Sequence, residues 1–252
     1  MLPLSVVIIA KNEAHILSAC LQSVQSLTDD VLVCDTGSTD ETKALAEAAG
    51  VRVIHENWKG FGITKNNANQ QAKYDWILQL DADEALDEQL KASLQQLSWE
   101  NPAVVYRIRR KSFFLGKPIH YGAWMNDQQI RLFHRKQVAW NSDPVHETLI
   151  LQPGVITQPL KGNILHNTFQ TVKQYEEKMK QYAQKGAEKY FLKGKKDGWW
   201  KQIVSPPFTF FRNYIIRFGF LDGKEGFWLA WSTAVYTYNK YKELNRLIRN
   251  AP

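Results

Sequence analysis

The chain has 252 residues, 44% of them hydrophobic, enough for one α/β domain of ordinary size with an appended helical part. Its two cysteines, Cys20 and Cys34, sit in apolar segments, which argues against a disulfide scaffold and reads as small buried residues in a reducing compartment. The net charge of +7 is uneven: residues 1–170 carry 16 Lys and Arg against 18 Asp and Glu, whereas residues 171–252 carry 16 against 7 and 4 of the 9 tryptophans.

Leu4 to Ala10 is a continuous β-branched run, as expected of a central parallel strand. Lys11, Asn12 and Glu13 interrupt it too early for a secretory signal. Asn12 to Ser26 carries apolar residues at helical spacing. Asp30 to Asp35 is a second buried strand ending in an acid, and Gly37 to Glu41 a loop and helix start. Thr42 to Ala49 reads as helix, with Gly50 after it as a C-cap. Val51 to His55 is a third strand, Ile63 to Ala72 a helix and Trp76 to Leu80 a fourth strand.

That alternation predicts a parallel, Rossmann-like sheet, whose ligands sit at the carboxyl ends of the strands. The polar residues at those ends are Asn12 and Glu13, Asp35, and the pair Asp81 and Asp83, so all converge on one sheet edge. The run Asp81-Ala-Asp-Glu84 holds three acids in four positions at the tip of an apolar strand. Such acids need a cationic partner, and a divalent metal bridging substrate phosphates is the usual one. The plainer alternative is helix capping: Asp83 as N-cap, with Glu84, Asp87 and Glu88 in an acidic first turn.

Val104 to Arg110 and Gln129 to Arg135 alternate apolar and basic residues, and Gly162 to His166 is a further short strand. Arg131 and Arg135 share a face if that segment is extended, and could meet phosphates. From Thr171 the pattern is helical, with Tyr175, Met179, Tyr182, Ala183 and Ala187 on one side and breaks at Gly194, Gly198 and Pro206-Pro207. The aromatic and basic stretch from Trp199 to Tyr241 suits helices lying in a membrane interface, packing on the rest of the chain, or both. Its longest uncharged run, Gly226 to Asn239, is 14 residues, too short to span a bilayer.

Three motifs in order, Ala10-Lys-Asn-Glu13, Val33-Cys-Asp-Thr-Gly-Ser-Thr-Asp-Glu-Thr42 and Leu80-Asp-Ala-Asp-Glu84, resemble the family-2 glycosyltransferases of GT-A fold. Tyr121 to Arg135, Val145-His-Glu147 and Ile164-Leu-His166 resemble the bacterial branch that extends the inner core of lipopolysaccharide, including β-1,4-glucosyltransferases acting on heptose and enzymes acting on the Kdo region.

The resemblance implies a GT-A, Rossmann-like mixed sheet flanked by helices over residues 1–170; the aromatic and basic composition of 171–252 points to a helical, membrane-associating extension. It implies an inverting transferase that uses a UDP-sugar, UDP-glucose first, and a divalent cation, Mg2+ or Mn2+. Ala10, Asn12, Glu13, Asp35, Ser38, Lys65, Asp81 and Arg131 would bind the nucleotide sugar, with Asp35 accepting from the uracil. Asp83 and His166 would hold the metal, with His146 a rival ligand. Glu147 would be the catalytic base, with Asp127 the alternative. The acceptor would be a lipid-anchored glycan, met by a cytoplasmic enzyme peripheral on the anionic inner face of the bacterial inner membrane.

Other functions compete with this reading. The same chemistry could serve a protein, teichoic or capsular acceptor. The basic, aromatic C-terminal third could bind nucleic acid, but the acidic strand ends would repel phosphate without metal. A nucleotidyltransferase shares the acidic metal site, yet its usual Gly-rich phosphate loop does not follow the first strand.

Overall fold

The computed structural model describes residues 1–141, 148–169, 171–195 and 198–251. The chain forms two compact units. The first comprises Met1–Lys111 with Asp127–His166, the second Ser112–Asn126 with Asn167–Pro252.

The first unit is built on β1 (Leu4–Ala10), β2 (Asp30–Asp35), β3 (Arg52–His55) and β4 (Trp76–Asp81), which lie parallel in the order β3-β2-β1-β4. The connecting helices are α1 (Leu17–Val24), α2 (Thr42–Ala48) and α3 (Phe61–Gln70). The expected β-α alternation is present, with helix α1 shorter than its apolar spacing suggested. Asn12 stands just before it in the left-handed region, with φ 57°, which asparagine tolerates better than most residues.

The sheet continues as a mixed one. β5 (Glu84–Leu86), β6 (Val104–Phe114), β8 (Gln128–His134) and β11 (Ile156–Phe169) extend it in the order β4-β8-β6-β11-β5, and β7 (Lys117–Pro118) pairs with the end of β6. β8 runs antiparallel to both β4 and β6, and β5 antiparallel to β11. A separate ribbon pairs β9 (Val138–Trp140) with β10 (Leu149–Leu151). The mixed sheet flanked by helices is thus as expected, although β11 runs far beyond the short strand read at Gly162–His166.

Period-two alternation splits β1 between the two faces of the sheet. Leu4, Val6 and Ile8 pack with Leu17, Leu21 and Val24 of α1 and with Leu90 and Leu94 of α4 (Glu88–Gln95). Val7 packs on the other face with Leu32, Cys34, Ile77, Phe133 and Ala68 of α3. Cys20 and Cys34 are free and buried, and burial pushes the Cys34 thiol up to about 12.

The second unit carries α5 (Val172–Leu192), α6 (Gly198–Phe211) and α7 (Gly223–Arg249). Helix α5 opens with a capping box, Thr171 and Gln174 serving each other's backbone. Pro206 and Pro207 lie inside α6 rather than ending it. Phe210 packs edge-to-face against Phe227 and Trp231 of α7, with centroids 5.7 and 6.5 Å apart, and a π-helical turn follows over Arg212–Ile216. The core of this unit is aromatic: Phe114, Phe169 and Tyr175 are buried, with Trp124 and Trp228 against them.

Candidate active site

β1 lies between β2 and β4, so the carboxyl ends of all three strands share one edge. Ala10 pairs with Asp35, and Ile9 with Asp81. Open α/β sheets bind ligands at that edge.

On one side of it, Asp35 folds the following loop around itself. The amides of Gly37 and Ser38 donate to its carboxylate at 3.2 Å, and His55 Nδ1 stands 3.6 Å away. Burial raises the Asp35 carboxyl, but the hydrogen bonds from Ser38 and Gly37 outweigh it and hold the group below the usual carboxylate range. Ser38 Oγ in turn accepts from the Asn12 amide at 3.0 Å, and Asn12 Oδ1 accepts from the Thr39 amide at 2.8 Å. The Glu13 amide donates to Thr42 Oγ1 at 2.8 Å. Ala10, Asn12, Glu13, Asp35 and Ser38 are therefore knitted into one pair of loops.

On the other side, Asp81 receives Nη2 of Arg131 at 2.8 Å. The same nitrogen donates at 2.7 Å to Oε1 of Glu84, and Oε2 of Glu84 accepts the Asp81 amide at 3.0 Å. Burial would raise the Asp81 carboxyl, yet Arg131 and Lys65 overcome it and hold it far below its ordinary value. For Glu84 burial prevails and raises the carboxyl against the pull of Arg131. Lys65, buried on α3, stands with Nζ 4.4 Å from the centroid of Trp140, a cation–π distance. Arg110 extends the charge network: its Nη1 lies 3.5 Å from Glu84, and its Nε and Nη2 meet Asp127 Oδ2 at 2.7 and 2.6 Å.

Asp83 stands in the turn between β4 and β5. His166 lies opposite, on β11 in register with Glu84, and its Nε2 is 3.2 Å from Asp83 Oδ2. Cis ligands of an octahedral ion with bonds of about 2.1 Å stand roughly 3 Å apart, so this carboxylate and imidazole fit two positions on one divalent cation. Among the described residues no cluster of three or more His, Cys, Asp or Glu forms a metal cage. Two protein ligands suit Mg2+ or Mn2+, which keeps waters and takes the rest from substrate phosphates.

Residues 5–149 match the family model described as glycosyl transferase family 2. The chain belongs to that family. It is 31% identical over 246 residues to the lipopolysaccharide core biosynthesis glycosyltransferase LpsC of Rhizobium meliloti, covering 94% of this chain and 90% of the relative. It is 26% identical over 234 residues to an uncharacterized glycosyltransferase of Rickettsia typhi, covering 89% and 80%. Among solved structures, glucosyl-3-phosphoglycerate synthase of Mycobacterium tuberculosis with Mn2+, UDP and glucosyl-3-phosphoglycerate is 24% identical, covers 44% of this chain and 43% of its own, and superposes with a TM-score of 0.36. TarS of Staphylococcus aureus is 16% identical over 71% of this chain and 39% of its own, with a TM-score of 0.44. The family assignment makes the protein a glycosyltransferase.

Several details of this family-2 glycosyltransferase differ from the sequence expectation. Asp83 does not cap a helix: the N-cap is Asp87, which accepts from the Leu90 amide at 2.8 Å, and α4 starts at Glu88. Glu84 is not in a first helical turn but buried on β5. Arg131 and Arg135 pair with different acids at opposite ends of β4. β8 runs antiparallel to β4, so Arg131 reaches Asp81 at the carboxyl end, while Arg135 bonds Asp75 at the other end and the carbonyls of Asn69 and Ala72. Glu147 and His146 lie outside the described residues. Glu84, Arg110 and Trp140 were missed. The acid density of Asp81–Glu84 pointed to Glu84, but its helix-start composition masked a strand.

Proposed function

We propose that this glycosyltransferase is an inverting, metal-dependent enzyme that transfers a sugar, glucose first, from a UDP-sugar to the heptose or Kdo region of a lipid-anchored lipopolysaccharide core. The observation that carries the reading is the meeting at one sheet edge of the Asn12, Asp35 and Ser38 loops with the Asp83–His166 pair. The likeness to LpsC, whose name states lipopolysaccharide core biosynthesis, supports the acceptor.

Asp35 would accept from the uracil N–H. Both its oxygens already receive backbone amides, but a carboxylate has about four acceptor positions and keeps room for one more donor. Lys65 and Arg131 bring positive charge beside Asp81, where the sugar diphosphate would lie. Asp83 and His166 would hold a divalent cation, which when bound neutralises the charge that gathers on the departing diphosphate. The acceptor hydroxyl attacks the anomeric carbon, the bond to the diphosphate oxygen breaks, and the hydroxyl proton passes to a carboxylate on the opposite face. Glu147 is our base. Asp127, the alternative, is ion-paired through one oxygen with two nitrogens of Arg110, while its other oxygen lies 3.5 Å from Gln129 Nε2. The enzyme would work in the cytoplasm, peripheral to the inner face of the inner membrane; among the described residues no helix is long and apolar enough to cross a membrane.

The test is acceptor competition with labelled UDP-glucose. Heptose- and Kdo-bearing truncated lipopolysaccharide, a protein mixture, and teichoic or capsular polymer are offered together. Label in the lipopolysaccharide with an inverted anomeric centre supports the proposal. Label confined to protein or polymer moves the enzyme to that acceptor.

A further inference from the structure

Helix α6 inverts the usual pattern of a surface helix. Trp200, Ile203, Val204, Phe208 and Phe211 recur at spacings of three and four, yet they face solvent, with Ile203 69% and Phe208 57% exposed. Exposed apolar residues continue through the π-helical turn, with Ile215 and Ile216, and beyond it, with Phe218, Phe220 and Leu221, around a corner at Phe218, which sits in the left-handed region at φ 56°. This unit already buries an aromatic core around Phe114 and Tyr175, so the exposed residues are not that core left open. A contiguous apolar face this large marks an interaction surface.

Its charge selects the partner. From Gly198 to Leu221 the chain has three cations, Lys201, Arg212 and Arg217, and no acid. A second copy of this chain, joined about a two-fold axis, would set those cations against their own equivalents. An anionic lipid surface complements them, and an apolar stripe flanked by Lys and Arg is the composition of a helix lying in the headgroup region. We propose that the face formed by α6 and the Arg212–Leu221 corner is a monotopic docking surface that inserts into an anionic lipid leaflet. It deepens the proposed function, on which it rests for the lipid-anchored acceptor.

The experiment is co-sedimentation of the full chain with vesicles of phosphatidylcholine alone and of phosphatidylcholine mixed with phosphatidylglycerol. Wild type is expected to sediment with the anionic vesicles, more weakly as salt rises, and poorly with the neutral ones. Ile203→Asp with Phe208→Asp should lower the partition at least about tenfold, since two exposed apolar insertions become charges. Because both residues are exposed, circular dichroism should be unchanged. Arg212→Glu with Arg217→Glu should weaken anionic binding by more than about tenfold while leaving any neutral-vesicle binding alone. Folded wild type that stays in solution with anionic vesicles overturns the proposal. So does sedimentation untouched by Ile203→Asp with Phe208→Asp, or a wild-type dimer that those substitutions split without any vesicle binding. UDP binding measured without lipid separates the two readings: its absence alongside intact vesicle docking sinks the donor assignment and leaves this face standing.

Discussion

Arg131 is held by Glu84, one nitrogen of a buried guanidinium donating at 2.7 Å to a carboxylate with no solvent exposure. The same nitrogen reaches Asp81, so the orientation of Asp81 depends on Glu84, a carboxylate closed off from solvent. Glu84→Gln keeps the shape and removes the charge, leaving Arg131 with one ionised partner. Removing one member of a buried pair costs about 3–5 kcal/mol. We expect the lower part of that range, because Asp81 remains. Urea denaturation of Glu84→Gln, Arg131→Met and the double variant checks it. The double variant should be more stable than the sum of the single losses predicts.

Asp35 makes stability depend on pH. Its carboxyl lies below the ordinary range because the Ser38 and Gly37 hydrogen bonds favour the charged form over the cost of burial. A depressed folded value contributes stability above the unfolded value of about 3.9 and loses it as pH falls through the folded value. Wild type should therefore exceed Asp35→Asn in unfolding free energy near neutral pH, and the gap should close in acid. A gap independent of pH would show that the loop does not read this charge.

Gly62 lets helix α3 touch the β9 ribbon. A methyl group there would lie 1.8 Å from the Asn141 carbonyl oxygen, a backbone atom that cannot swing aside. Asn66, one turn on, pairs both ways with the Trp140 backbone at 2.8 and 2.9 Å. Gly62→Ala is expected to cost about 3 kcal/mol, at the upper end for overpacking. It should also draw Lys65 off Trp140 and weaken nucleotide binding. Thermal unfolding and nucleotide titration of this variant test both halves.

The parallel strands were legible because unbroken β-branched runs ending in acids have few other uses; β1 and β2 match their expected bounds residue for residue. The Asp83–His166 approach was foreseeable only through the family resemblance, since 83 residues separate the two in sequence. Glu84 escaped because an acid followed by Asp87 and Glu88 has the composition of a helix start, and only the pairing of β5 with β11 buries it. Residues 112–126, which join the second unit, carry no boundary signal, because the long strand β6 runs through the division without a break in its pattern.

The proposed function requires a metal-dependent uridine nucleotide site at the Asp35–Asp83 edge. Calorimetric titration of UDP and UDP-glucose, with Mn2+ and with chelator, on wild type, Asp83→Ala and His166→Ala tests it most directly. Binding to wild type should weaken at least about tenfold on chelation, and either variant should show a similar loss with metal present. Folded protein that binds no uridine nucleotide with Mn2+, or binds it equally well as Asp83→Ala, would contradict it.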